Sequence, residues 1–356
     1  MAKIPMRMGD GFLAEMTEAE LKKDIEDGVQ DAVTKAKVPP LAEDEMKHLF
    51  DVYSRTEKFV AIEPGKEVVI SHDEGTAKLT AGPSGGAGAA LDIGRTTALQ
   101  IYERLFASDT AELAHLDYSF KPIKSILGDE QVAAEEALLA VAIPVFYGCM
   151  PNLGLYTEPD GPYPNPIDFI TEGKLEEARA AAEQMIEAGY KDMIYIAGGM
   201  TEAGIDCINF DTVGAAGDYD FIAGLRAVET LKKQHPEARV EMGMAGEFVL
   251  GIHGALEYGG ERVAGMYPLQ QLKALEKAGV DIFGPVVRIV TRKSCAWNQA
   301  RNLTMLKPVC QEAKIPIHVE IAMGVGAVPL CNIPPIDAVS RATKSAIEIL
   351  PSMDGI

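Results

Sequence analysis

Along this chain, stretches with apolar residues at helical spacing take turns with short unbroken apolar runs. Thr17 to Lys37 reads as a charged helix, with Glu18 and Glu20 in its first turn and Pro39-Pro40 past its end. Ala42 to Arg55 predicts a second helix. Phe59 to Thr80 alternates, with Pro64-Gly65 and Glu74-Gly75 at the turns, which predicts a hairpin or small meander. Residues 1–80 therefore read as an N-terminal elaboration of helices and a β-hairpin.

Beyond it the pattern becomes strand, helix, strand. Candidate strands are His115–Phe120, Ile143–Gly148, Met193–Ala197, Val240–Ala245, Ile282–Val287 and Ile317–Ala322. Helices are predicted over Lys174–Ala188, with Gly189 as a stop, over Phe221–Gln234, and over Pro268–Ala278, closed by Gly279. In the last stretch Gly324 and Gly326 break the apolar run and Pro334-Pro335 opens a helix. Ile336, Val339, Thr343, Ala346, Ile347 and Leu350 recur on one face that must pack on something. Pro351 ends that helix, and Asp354-Gly355-Ile356 turns toward a new strand.

Alternating strands and helices mean an α/β fold with a parallel sheet. The glycine-rich Gly82–Gly94 is not the fingerprint of a dinucleotide-binding sheet. It reads as a flexible loop into a helix, with an anion seat at the helix start as the alternative. Six strand–helix units and a seventh strand beginning at Asp354 suit a TIM (β/α)8-type barrel over 81–356, incomplete at its C-terminus.

Charge and composition narrow the function classes. The 356 residues are 47% hydrophobic and carry a formal net charge of −20. So acidic a chain lacks the basic footprint of nucleic-acid binding and is not drawn to anionic membranes. No run of about 18 apolar residues could span a bilayer, and the N-terminus has no continuous apolar core of a signal peptide. Five scattered cysteines without a CxxC pair fit free thiols in a reducing cytoplasm.

In a barrel the chemistry sits at the carboxyl ends of the strands. Those ends carry Glu202, Asp206, Asn209 and Asp211, then Gly246-Glu247-Phe248, then Arg288, Thr291 and Arg292, and last Glu320 before Gly324-Val325-Gly326. Glu247 and Glu320 are the candidate catalytic residues, because each sits within or at the end of an apolar strand, where a carboxylate needs a partner. The competing reading is an ion pair with Arg288, Arg292 or Lys293. His318 shares the face of Glu320 and reads as a satisfied core histidine. Trp297 is either a cap over a cation or plain packing. Cys207, Cys295, Cys331, His318 and Glu320 fall near strand ends and leave a zinc site as an alternative, although no two have a compact ligand spacing.

Several motifs resemble one family. Pro316-Ile317-His318-Val319, Met323-Gly324-Val325-Gly326, Asp337-Ala338-Val339-Ser340-Arg341-Ala342 and Asp354-Gly355-Ile356 are similar to the dimethylamine methyltransferases of methanogenic archaea. So are Ala245-Gly246-Glu247-Phe248 and Ile282-Phe283-Gly284-Pro285-Val286-Val287. The resemblance implies a barrel fold and methyl transfer from dimethylamine to the cobalt(I) of a corrinoid protein, releasing methylamine. It places pyrrolysine immediately after Ile356, where its imine accepts the amine nitrogen, and that residue is absent from the sequence. The corrinoid belongs to the partner protein, this chain binds no cofactor of its own, and the family forms homo-oligomers. A methylated amine is a cation at neutral pH, so the resemblance casts Glu247 and Glu320 as its carboxylate cage and proton source. The alternatives are a non-catalytic fragment terminated at the UAG codon, a zinc-dependent corrinoid methyltransferase, or a phosphate-binding barrel using Gly82–Gly94.

Overall fold

The computed structural model describes residues 3–55, 76–80, 90–94, 146–149, 151, 153–214, 217–251, 254–331 and 334–356. The chain divides into two compact units, Met1–Pro64 together with Pro144–Ile356, and the intervening Gly65–Ile143.

The larger unit opens with an antiparallel hairpin, β1 (Ile4–Arg7) and β2 (Leu13–Met16). Helix α1 (Glu18–Ala36) begins where a capping box satisfies its free N–H groups. The Thr17 hydroxyl accepts from the Glu20 N–H at 3.3 Å, and the Glu20 carboxylate accepts from the Thr17 N–H at 2.7 Å. Its buried stripe is Leu21, Ile25, Gly28, Val29 and Ala32. Helix α2 (Glu43–Ser54) follows, so both predicted helices hold to within a residue.

The described residues of the smaller unit form one antiparallel pair, β3 (Thr76–Thr80) and β4 (Ala90–Gly94). The strand at Thr76–Thr80 was expected, but its partner lies in the glycine-rich stretch read as a loop. The other strands and turns predicted between Phe59 and Gly75, and the strand His115–Phe120, lie outside the described residues.

Returning to the larger unit, β5 (Phe146–Cys149) leads through a 3-10 turn at Leu153–Tyr156 into α3 (Pro166–Thr171) and α4 (Leu175–Glu202). Then come β6 (Cys207–Val213), α5 (Asp218–Gln234), β7 (Val240–Met244), and the small hairpin β8 (Glu257–Tyr258) and β9 (Glu261–Arg262). The chain closes with α6 (Pro268–Ala278), β10 (Ile282–Gly284), α7 (Cys295–Glu312) and α8 (Ile336–Ile349).

Strands β5, β6, β7 and β10 make a parallel sheet in chain order. Single parallel bridges extend it, Phe283 to Ile317 and His318 to Gly355. The His318 N–H donates to the Phe283 carbonyl at 2.9 Å, and the Val319 N–H to the Gly355 carbonyl at 2.9 Å. The predicted strand after Pro316 thus survives as a short bridged run, and the turn at Asp354 does enter the sheet. Among the described residues the sheet stays open and no closed barrel is formed.

Three readings of the sequence are corrected. Met193–Ala197 is not a strand but the second half of α4. Met193 and Ala197 are buried four apart while Tyr195 is 83% exposed, so the short apolar run was serving a helix. Gly189 did not stop that helix because it is a packing site: a Cβ there would stand 2.1 Å from Leu153 Cδ2. The strand of this unit is Cys207–Val213, disguised by Asn209 and Asp211. In α8 the buried face is turned from the expected one, for Ala346 and Leu350 are buried as expected but Val339 and Thr343 only partly. Ile336 and Ile347 are exposed, whereas Asp337, Ala338, Arg341, Ala342, Ser345, Ala346 and Ile349 are buried. Arg7 pairs with Asp337 at 3.0 Å and the Arg341 guanidinium lies 5.6 Å from the Tyr53 ring centre, so ionic and cation–π contacts hold this helix down.

Helix α7 is buried almost throughout, from Cys295 to Cys310. Ser294 caps it, accepting from the Trp297 N–H at 2.9 Å. Helix α1 crosses it so closely that a Cβ at Gly28 would fall 2.3 Å from the Trp297 carbonyl oxygen. Side-chain bonds from Ser294 to Asp24 and from Arg301 to Asp31 fasten the crossing.

Candidate active site

Glu247 follows β7 and spends both carboxylate oxygens on fixed partners. Oε1 meets Arg301 Nη2 at 2.9 Å, and Oε2 accepts from the Arg288 N–H at 3.1 Å. Arg301, itself buried, also binds Asp31 at 2.8 Å and the Arg288 carbonyl at 3.2 Å. The ion-pair reading therefore describes Glu247, with Arg301 as the partner in place of the side chains of Arg288, Arg292 or Lys293. This carboxylate holds the strand-end loop in place.

Glu320 is placed differently. Register sets Asn209 beside Glu241 and Gly243 beside Gly284, and these residues share one face of the sheet. His318 joins that face, its Nδ1 lying 2.8 Å from Glu241 Oε1. The Glu241 carboxylate, hydrogen-bonded to the ring, pushes the His318 imidazole up to about 9. Glu320 stands above, partly buried and, among the described residues, without a hydrogen-bond partner. Burial raises its carboxyl above the usual range, Asp211 and Glu241 raise it further, and His318 opposes them. A cavity of about 470 Å³ opens on this face between Asn209, Glu241, Ile282, His318 and Gly355.

Among the described residues Glu247 and Glu320 thus share no partner, and around Glu320 stand three residues that the strand ends did not point to, Glu241, Gly243 and Gly284. Their signal was the register itself, Glu241 lying level with Asn209. Trp297 is buried in α7 beneath Lys293 and Arg301, 5.2 and 5.9 Å from its ring centre, so it packs against cations of its own chain. Burial pushes the Cys207 thiol up to about 11 and the Cys310 thiol to about 12, which leaves both protonated at neutral pH. Among the described residues no group of three or more His, Cys, Asp or Glu side chains is arranged to hold a metal ion.

A larger cleft, about 580 Å³, lies between α4 and the start of α5. Its lining is mostly apolar, and its buried carboxyl, Asp218, is pushed up to about 6 by burial. Asp218 is the first residue of α5, where the backbone N–H groups of the helix start oppose that rise. The smaller cavity, which the Asn209, Glu241 and His318 side chains border, is the better candidate for chemistry.

The Glu241–His318 contact makes a pH prediction. A histidine whose folded value exceeds its unfolded one stabilises the fold below about 6.5 and loses that contribution as pH rises through the folded value. For His318 the loss comes around pH 9. Glu241→Gln should return its titration, followed by NMR of the ring protons, toward the ordinary value. A His318 titration unmoved by E241Q would show that another group raises it.

A family model described as dimethylamine methyltransferase (Dimeth_PyL) matches residues 2–356. No solved structure matches the chain.

Proposed function

We propose, since this chain belongs to the dimethylamine methyltransferase family, that it moves a methyl group from dimethylamine to the cobalt(I) of a corrinoid on a separate protein, releasing methylamine. The same reading takes the sheet as an arc of a (β/α)8 barrel. Its strands lie beside one another in chain order with no reversal, as barrel strands do and doubly wound strands do not.

The observation that carries the proposal is the position of the last residues. Gly355 pairs in parallel with His318. In that register the residue after Ile356 falls level with Glu320 and on its face of the sheet. We place pyrrolysine there. When present it supplies an electrophilic imine, and the corrinoid supplies a cobalt(I) nucleophile.

The chain's own residues supply the rest. His318 is a cation at neutral pH and balances Glu241. The Glu320 carboxylate, with Asp211 close by, then offers this face's attraction to a methylated ammonium ion. At a separation of about 4 Å and an effective dielectric near 20 such an attraction is about 4 kcal/mol. Glu320, whose proton affinity burial has raised, takes a proton from the bound ammonium ion at its Oε atoms, frees the amine nitrogen, and then returns that proton. Glu247 has a positioning role, fixing the backbone of Arg288 at the rim.

No helix among the described residues is long and apolar enough to cross a membrane. The reading takes the enzyme as a cytoplasmic homo-oligomer. Its test is the protein purified from its native host, analysed by peptide mass beyond Ile356 and assayed for dimethylamine-dependent methylation of the corrinoid protein. Pyrrolysine after Ile356 with methyl transfer is the expected result. A native mass equal to these 356 residues, without transfer, would overturn it.

A further inference from the structure

We infer that Gly243 and Gly284 size this site for a small dimethylated ammonium ion by forming a side-chain-free floor between its carboxylates; the inference rests on the methyl-transfer reading above. The two glycines are register partners on β7 and β10. Next to Gly284 comes His318, because Phe283 bridges to Ile317 one residue earlier. At one level of the sheet, two adjacent positions therefore carry no side chain.

What borders that gap is polar. A Cβ on Gly243 would stand 3.1 Å from Asp211 Oδ1 and 3.8 Å from Asn209 Oδ1. A Cβ on Gly284 would stand 3.7 Å from Glu320 Oε1 and 3.2 Å from the Gly243 Cα. Neither glycine has a positive φ, so no backbone conformation demands it. Ordinary strand residues would be accepted on conformational grounds, and at Gly243 the nearest obstacles are side-chain oxygens. A side chain at Gly243 would press on Asp211 and Asn209, and one at Gly284 would reach Glu320, so the glycines leave the two carboxylates room to close on a small ion.

A dimethylammonium ion has two N–H donors and two methyl groups. Over this floor each donor finds a carboxylate oxygen, Asp211 on one side and Glu320 on the other. The methyls rest where side chains would otherwise project. One methyl group more or less in such a site changes selection by about tenfold or more.

The test uses the full-length enzyme. Gly243→Ala should raise KM for dimethylamine about tenfold, with a smaller change in kcat and an unchanged melting temperature. Inhibition by ammonium, which has no methyl to place, should stay within twofold of the unaltered enzyme, about the scatter expected of a neutral contact. Gly284→Ala should do the same if it folds, its Cβ being closer to backbone. On the unaltered enzyme, diethylammonium should compete about tenfold more weakly than dimethylammonium, because its extra carbons meet the floor. Equal competition by the two amines, or a G243A enzyme with ordinary KM and stability, overturns the inference while leaving methyl transfer standing. An unaltered enzyme that does not turn over dimethylamine removes the reading beneath it instead.

Discussion

Glu320→Gln is expected to lower kcat for methyl transfer by about 10²- to 10⁴-fold, the range for loss of a positioned general acid. Glutamine keeps the shape of the side chain and removes only its titrating proton. Because Glu320 has no hydrogen-bond partner among the described residues, the substitution breaks no contact that holds the fold. Its carboxyl is raised in the folded state by burial and by Asp211 and Glu241. Such a group favours folding below its unfolded value and penalises it as pH rises through the folded value. E320Q should therefore be as stable as the parent at low pH and no less stable at pH 8, while nearly inactive throughout. Single-turnover transfer and urea unfolding at both pH values check the two halves. A kcat within threefold of the parent would remove Glu320 from the chemistry.

Arg301→Met should cost about 3–5 kcal/mol of stability, the cost of leaving a buried carboxylate without its partner. Arg301 joins Glu247, Asp31 and the Arg288 carbonyl, and so ties α7 to α1 and to the loops after β7 and β10. Lysine has one ammonium where this site uses a planar fork, so Arg301→Lys should recover little. Adding Glu247→Gln to R301M should recover part of the loss, because the stranded charge is then gone. Urea unfolding of the three variants decides it. A loss under 1 kcal/mol for R301M would mean that water reaches Glu247 and replaces the guanidinium.

Where local pattern and packing agreed, the fold was readable from sequence. The α1 and α2 boundaries followed from Thr17, Glu20 and Pro39-Pro40, and β7 and α6 from clear runs with a clear stop. Met193–Ala197 failed because five apolar residues serve a strand and a buried helix face equally well, and Gly189 looked like punctuation when it was making room for Leu153. The buried face of α8 was missed because Arg7 and Tyr53 come from far away in sequence, and partners for Asp337 and Arg341 cannot be seen in a periodicity.

The site divided along the same line. Glu320 stood out as a carboxylate in an apolar run, and the structure sets it near His318, Glu241 and Asp211. Glu247 stood out for the same reason, but Arg301, 54 residues on, absorbed it. Glu241 and the glycine pair were invisible because their meaning lies in register between strands, which no single strand displays.

The crossing of α1 over α7 also has a consequence in time. Asp24 waits for Ser294 and Asp31 for Arg301, each 270 residues later. At about 5–20 residues per second a ribosome takes on the order of 14–54 seconds to make that interval. Throughout it Leu21, Ile25, Val29 and Ala32 have no α7 to cover them. Helix α1 thus leaves the ribosome long before it can find its place against α7, and its charged outer face, with Lys23 and Asp27 paired at 2.6 Å, keeps it in solution meanwhile.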